Sequence, residues 1–201
     1  CIADRRGCVY PTPLVDVITG QDIGIDDYHH FARILPSQLS PEKQAERERL
    51  AVAGVQALDM TCAAAHVEFI GNCLGEIAAR PGGNRARILD LAYGIDELSA
   101  YHQVLVGETP RILKQRDHAA AIVTPFPRRK GILRKIHYLD RIPKLPGYLY
   151  HEVRTALGET VGLAKGGYRS PLYIELTAPD PDLVRRGVDE IISWQDLFEV
   201  D

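Results

Sequence analysis

The stretch "EIAARPGGNR", Glu76 to Arg85, puts a carboxylate, a guanidinium four residues on and a Gly-Gly pair into ten residues. Just upstream, "HVEFI" alternates polar His66 and Glu68 with apolar Val67 and Phe69. That period of two predicts a strand, and Leu74 to Arg80 predicts a second one after a turn at Gly71-Asn72. With a three-residue loop, Gly71-Asn72-Cys73, Glu68 opposes Glu76 and His66 opposes Ala78. One face then carries His66, Glu68, Glu76 and Arg80, and the other carries Val67, Phe69, Ile77 and Ala79. A two-residue loop would split that grouping.

Two directly opposed carboxylates lie roughly 5 Å apart at Cβ and repel unless a cation stands between them. Mg²⁺ takes oxygen ligands and is held by one or two carboxylates together with substrate phosphates. The planar fork of Arg80 suits a carboxylate or a phosphate. Gly82 and Gly83 allow backbone N–H groups to come close to an anion. His66 flanks Glu68 on the same face and is a candidate for the substrate pocket. Together these residues point to phosphoryl or acyl-phosphate chemistry. The same residue types also occur as surface ion pairs, which contribute little stability, and Gly-Gly also occurs as a plain turn.

The rest of the chain bounds this reading. Its 201 residues are 45% apolar and 25% charged, with a net charge of -3. That is globular composition with a sizeable core, and the overall field gives no reason to expect nucleic acid or an anionic membrane as partner. No apolar run approaches the ~20 residues of a membrane helix, and no signal peptide is evident. The four cysteines match no zinc-site spacing, so free thiols in a reducing cytoplasm are expected, with a Cys1–Cys8 disulfide as the alternative. Seven Lys or Arg lie between Arg128 and Lys144 against the single Asp140; a solvated hairpin face is the expectation there. The adjacent His29 and His30 are expected at the surface, and Lys165-Gly166-Gly167 is expected as a tight turn.

The elements that must hold the hairpin are legible. "CIADRRGCVY" predicts a small hairpin turning at Asp4 to Gly7. Ser40, Pro41 and Glu42 open a helix running to about Met60, with an apolar face of Leu50, Val52, Val55 and Leu58. "NRARILDLAYGIDELSAYHQVLVGE" predicts two helices broken near Gly94, the second capped by Asp96. "YHHFARILPS" is ambiguous. From about residue 111 the texture changes to short strands around "AAAIVTPF", "GILRKIHYL", "GYLYHEVRT" and "PLYIELTA", closed by a helix over "DPDLVRRGVDEIISWQDLF". A boundary is therefore placed near residue 110.

"HVEFI…LGEIAARPGG" resembles the signature of the ATP-grasp superfamily, in which H-x-E, a short turn, an E-I-x-x-R strand and glycines follow one another. "LPSQLSPEKQAERERLAVAGVQALDM" is similar to the helix preceding it there. The branch it resembles is the carboxylate–amine ligases, including L-amino-acid ligases and biotin-carboxylase-like relatives, over roughly residues 9 to 110. The tail, with "PFPRRKGIL", "LPGY" and "KGGYRSPLYIELTA", resembles the C-terminal domain appended to those ligases. The implied fold is α+β: residues 1–110 as the ATP-grasp C-terminal lobe, an antiparallel sheet with helices, incomplete at its N-terminus, and 111–201 as a smaller β-rich domain.

The resemblance implies ATP and Mg²⁺ as cofactors, with Glu68 and Glu76 as metal ligands bridging ATP phosphates. It implies that Arg80 holds the substrate carboxylate or its acyl phosphate, and that the backbone at Gly82 and Gly83 forms an oxyanion site. Side chains around Asn84 would shape the amine pocket. Ala78 stands where many members carry a metal-binding Asn. The implied partners are a small carboxylate and an amine, amino acids among them, together with a missing N-terminal lobe; a second copy of the chain is a further candidate. The nucleotide-binding lysines and lid of such ligases lie upstream, and the chain begins at Cys1 with Met60 its only methionine. A C-terminal part of a longer ligase, inactive alone, is the expectation. A non-catalytic module for assembly or regulation is the alternative.

Overall fold

The computed structural model describes residues 1–201. Along the chain run β1 (Ile2–Ala3), β2 (Val9–Tyr10), β3 (Asp16–Thr19), β4 (His30–Leu35), α1 (Pro41–Ala57), β5 (Ala63–Ala64), β6 (His66–Ile70) and β7 (Cys73–Ala78). They are followed by α2 (Arg85–Tyr93), α3 (Glu97–Leu105), β8 (Ala119–Val123), β9 (Gly131–Ile136), β10 (Tyr148–Val153), β11 (Thr160–Val161), β12 (Leu172–Ala178), α4 (Pro181–Ser193) and β13 (Phe198–Val200). These elements form two compact units, Cys1–Leu14 with Ser37–Asp117, and Val15–Pro36 with His118–Asp201. A boundary near residue 110 misses the segment 15–36. Its strands β3 and β4 join the later strands in one sheet, so the second unit is not the smaller one.

In the first unit, β1 pairs antiparallel with β2 and β5. Asp4 makes the turn between β1 and β2: its Oδ1 accepts from Arg6 N at 2.8 Å and Cys8 N at 2.9 Å. Helix α1 starts as its sequence dictates, with Ser40 Oγ accepting from Lys43 N and Pro41 in the first turn. Its buried stripe, however, is Arg47, Ala51 and Val55, at i, i+4 and i+8. Leu50 and Leu58, read from the sequence as part of the apolar face, are exposed. Helices α2 and α3 break at Gly94 (φ 66°), and the Asp96 side chain caps α3 by accepting from Ser99 N. All four cysteines are free thiols.

The second unit is built on the sheet β10-β12-β8-β4-β3, antiparallel throughout. The ambiguous segment around His30 is strand β4, paired on both edges. Ala32, Ile34, Val123, Ile174 and Leu176 on the sheet share one core with Val184, Val188 and Ile191 of α4. A small sheet, β11-β9-β13, completes the unit.

Gly187 lets α4 settle onto this core. A Cβ at that position would lie 2.5 Å from the Pro146 carbonyl oxygen and 2.8 Å from Leu176 Cδ1. Ala is the better helix former by ~1 kcal/mol, but the obstacle is backbone, and overpacking costs about 1–3 kcal/mol. Gly187→Ala is therefore expected to be neutral to destabilising, by up to about 2 kcal/mol. Urea unfolding would read this, and a clear stabilisation would contradict the packing.

Candidate active site

The hairpin β6–β7 pairs His66 with Ala78, Val67 with Ile77 and Glu68 with Glu76, then shifts register and pairs Phe69 with Leu74 and Ile70 with Cys73. Glu68 thus opposes Glu76, but not by the loop inferred from the sequence. The turn is two residues, Gly71-Asn72, and the extra residue is absorbed by a bulge at Gly75. Such a bulge leaves one residue unpaired and restores the facing of the pairs beyond it. Glycine suits the bulge because a Cβ there would come within 3.2 Å of Ile70. On the other face, Val67 and Ile77 pack against the buried cluster of Ala3, Val55 and Ala65.

Strand β7 ends at Ala78 rather than Arg80. Arg80 lies in the following bend, exposed, and its Nη1 donates to the Pro81 carbonyl at 3.0 Å. The two glycines then differ. A Cβ on Gly82 would meet Arg85 Cγ at 2.4 Å and His66 Cδ2 at 2.6 Å, whereas one on Gly83 would meet nothing within 4 Å. Gly82 is required by close packing over the His66 ring, and Gly83 is not. Asn84 takes a left-handed conformation (φ 58°) as the N-cap of α2, and its side chain makes no capping bond. The backbone N–H groups that open α2 therefore follow directly on the two glycines.

His66 is buried, with Nε2 3.5 Å from Glu68 Oε1. Burial holds its pKa below the ordinary 6.5, and the nearby Arg85 adds to that while Glu68 opposes it. Beside it lies a group of charges that sequence reasoning passed over. Arg85 is largely buried in the field of both Glu68 and Glu97; burial disfavours its charge and the two carboxylates favour it. Glu97 is buried, which pushes its carboxyl up, with the Cys1 ammonium and then Arg85 pulling it back. Arg85 Nη1, Glu97 Oε2 and both ring nitrogens of His66 make no hydrogen bond within the protein. Arg85 reads in sequence as an ordinary first-turn helix residue, and Glu97 as an acid following a cap. Only the spacing Gly-Gly-x-Arg was available as a signal.

No group of three or more His, Cys, Asp or Glu side chains gathers to hold a metal. Glu68 and Glu76 place two oxygen-donor side chains opposite each other on the hairpin. That set fits Mg²⁺, which commonly takes its remaining ligands from water and substrate phosphates.

No family model matches the sequence, and no curated protein matches it. Solved structures do match its fold. An L-amino acid ligase from Bacillus licheniformis superposes with a TM-score of 0.66 at 15% identity, over 87% of this chain and 44% of that one. A phosphoribosylglycinamide synthetase from Anaerococcus prevotii gives 0.68 at 11% identity, over 100% of this chain and 51% of that one. A carboxyaminoimidazole ribonucleotide synthase from Aspergillus clavatus, complexed with ATP, gives 0.65 at 12% identity, over 98% and 50%. The chain spans about half the length of these structures. Its α+β architecture is that of about half of each of these solved structures.

Two measurements test the packing at the site. Gly82→Ala is expected to destabilise the protein by about 1–3 kcal/mol by displacing Arg85 or the His66 ring, with Gly83→Ala within ~0.5 kcal/mol of wild type; equal effects in chemical unfolding would contradict the asymmetry. Because the folded pKa of His66 is lowered, the unfolded state binds its proton more readily. The stability contributed by neutral His66 is full above the unfolded value of about 6.5 and is lost as pH falls from there through the folded value. Stability followed over this window should decline toward acid, and His66→Gln should flatten the decline.

Proposed function

We propose that the chain is the C-terminal portion of an ATP- and Mg²⁺-dependent ligase that joins a carboxylate to an amine through an acyl phosphate. The observation that carries this reading is Glu68 directly opposite Glu76 on the face of a hairpin, followed at once by Arg80, Gly82 and Gly83, in a fold shared with such ligases. A bound Mg²⁺ would supply charge neutralisation and alignment of the ATP phosphates, with Glu68 and Glu76 as its protein ligands.

The chain's own residues have separate tasks. Arg80, exposed at the end of the hairpin, orients the acid by a two-pronged contact and stabilises negative charge on the carboxylate as it is phosphorylated. Backbone N–H groups from Gly82 to Asn84 lie at the start of α2, where the partial positive charge of a helix N-terminus favours the acyl oxygen as it gains charge. His66 packs beside Glu68, its Nε2 3.5 Å from Glu68 Oε1, and burial disfavours a charge on its ring. Asn84 borders the place where the amine would approach. In the second step the amine adds to the acyl carbon, phosphate leaves and the amine gives up a proton, forming the amide. The acid and amine are small molecules, with amino acids as the first class to test. The upstream lobe supplies the rest of the nucleotide site, and the present chain alone should release no ADP. The reading places the enzyme in the cytoplasm.

The test is made on the full-length protein. Arg80→Lys keeps the charge but loses the planar fork. Losing one contact that tightens in the transition state costs ~3 kcal/mol, or ~10²-fold in kcat, with the melting temperature nearly unchanged because Arg80 is exposed. Glu76→Gln should instead raise the Mg²⁺ requirement as well as lower the rate. Steady-state ADP release against Mg²⁺ concentration, over a panel of amino acids, reads both. Near-wild-type turnover in Arg80→Lys would return Arg80 to an ordinary surface residue, whereas no ADP release by the wild-type protein over the panel would make a non-catalytic module the better account.

A further inference from the structure

The unit formed by residues 15–36 and 118–201 has a hollow of about 420 Å³ at the edge of its core. Packed interiors carry few voids larger than a water molecule, and a hollow of this size with apolar walls is where a protein takes up an organic molecule. The wall is aliphatic and aromatic. Phe31, Trp194 and Leu197 are buried members of the unit's core, and Ile23 and Phe198 are partly buried beside them. Phe126 lines the hollow as well.

The aromatic wall is held in place by the rest of the unit. Trp194 ends α4 and stacks on Tyr138 with ring centroids 5.2 Å apart, and the Arg141 guanidinium lies 5.6 Å from its ring. Phe126 packs against His29 with centroids 4.4 Å apart. Contrary to the surface placement expected for it, the His29 side chain is 3% exposed. Its ring fits against Gly20, whose lack of a Cβ makes room for it. A wall fixed in this way loses little freedom when a ligand enters.

The exposed residues of the lining are Arg128, Arg129, Gln195 and Glu199, and they mark the mouth. Arg128 Nη1 donates to the Gly24 carbonyl at 3.3 Å and Nη2 donates to Gln195 Oε1, while Arg129 Nη2 donates to the Val200 carbonyl. Gln195 and Val200 belong to the lining themselves, so both cationic heads are tied at the rim. All three acceptors are neutral. Each bond uses one N–H of a guanidinium that carries several more. Glu199 is the one carboxylate in the lining, and it lies 3.5 Å from the His137 ring. Two guanidinium groups against that carboxylate leave a surplus of one positive charge at the mouth. Low-dielectric walls focus such a surplus on what enters.

We propose that this hollow binds a small apolar monocarboxylate, with its hydrocarbon or aromatic body against Phe31, Trp194 and Phe198 and its carboxylate at Arg128 and Arg129. One negative charge matches the surplus at the mouth, and carboxylate oxygens accept from guanidinium N–H groups in charge-assisted bonds. A dianion such as a phosphate ester would leave a charge unmatched. The inference rests on residues of this unit alone and not on the ligase reading.

Trp194 is the only tryptophan of the chain, so its emission reports on this hollow. The test titrates the full 201-residue chain with phenylpropanoate, following heat and Trp194 emission together. Saturable binding with a matching change in emission is expected. Phenylpropanol, which keeps the body and loses the charge, should bind about tenfold or more weakly, the worth of one charge-assisted contact. Acetate, which keeps the charge and loses the body, should not displace the acid. Arg129→Gln should weaken the acid by a similar factor and leave the alcohol unchanged, while Lys144→Ala, an exposed cation outside the lining, should change neither. Absence of binding at millimolar acid would overturn the proposal, as would heat without a change in emission, displacement by equimolar acetate, or equal effects of Arg129→Gln and Lys144→Ala. So would an alcohol that binds as tightly as the acid; that comparison is made on the wild-type chain and stands even if Arg129→Gln loosens the tie to Val200.

Discussion

Two like charges stand opposite each other on β6 and β7, and the surrounding structure has to hold them there. Directly opposed carboxylates destabilise a strand pair by a few tenths to about 1 kcal/mol, and an isolated two-stranded ribbon is marginal to begin with. Burial on the reverse face compensates. Val67 and Ile77 reach the cluster of Ala3, Val55 and Ala65, and Gly54 of α1 leaves space for Ile77 Cδ1 and Leu74 Cδ1, which would stand 2.8 and 3.0 Å from a Cβ there. At the far end Arg47 donates to Asn72 Oδ1 at 3.0 Å and places its guanidinium over the Phe69 ring at 4.9 Å. One buried arginine of α1 thus ties down the turn and one strand, which explains a charge on the buried stripe of that helix.

The charges around the pair follow from the same constraint. Arg85 sits in the field of Glu68 and Glu97, and a buried ion pair is rarely a gain in stability over apolar side chains of the same volume. Leucines at 85 and 97 would satisfy a core more simply. The charged pair instead gives Glu68 a nearby cation built into the protein, while burial keeps His66 neutral. Gly82 belongs to this arrangement because its missing Cβ brings the glycine backbone onto the His66 ring and the Arg85 stem. Packing and electrostatics therefore meet at one glycine, whereas its neighbour Gly83 is free of both.

Much of this was readable in the sequence, and the failures have definite causes. The facing of Glu68 and Glu76 followed from sorting polar and apolar residues, because period-two alternation constrains register strongly when one face is buried. The loop was misread because a two-residue turn plus a bulge gives the same offset as a three-residue loop, and only Gly75 distinguished them. Caps at Ser40 and Asp96 and the break at Gly94 are local chemistry and were legible. The buried stripe of α1 was not, since Leu50 and Leu58 look more apolar than Ala51 and Arg47, and tertiary contacts decided the orientation. The burial of Arg85, Glu97 and His29 depends on residues distant in sequence and left no local mark. The placement of residues 15–36 likewise depends on pairing between β4 and β8, almost ninety positions apart.

Charge shows the same separation between sequence and space. The seven cations from Arg128 to Lys144 look like a patch, yet most are spent individually. Arg128 bonds to Gly24 O and Gln195, Arg129 to Val200 O, Arg134 to Asp201, and Arg141 to Glu190 while lying over Tyr138 and Trp194. These contacts join β9 and its flanks to the last residues of the chain, so they act as ties within the unit. Arg33, Arg154 and Arg169 have no common neighbourhood in the sequence. The strand order β10-β12-β8-β4 carries the ends of β4 and β10 to one end of the sheet, and there the three converge on one cleft. Adjacent cations on a strand are sent to opposite faces by the pleat. Which cations come near one another in a β-rich unit is therefore decided by strand topology as much as by distance along the sequence.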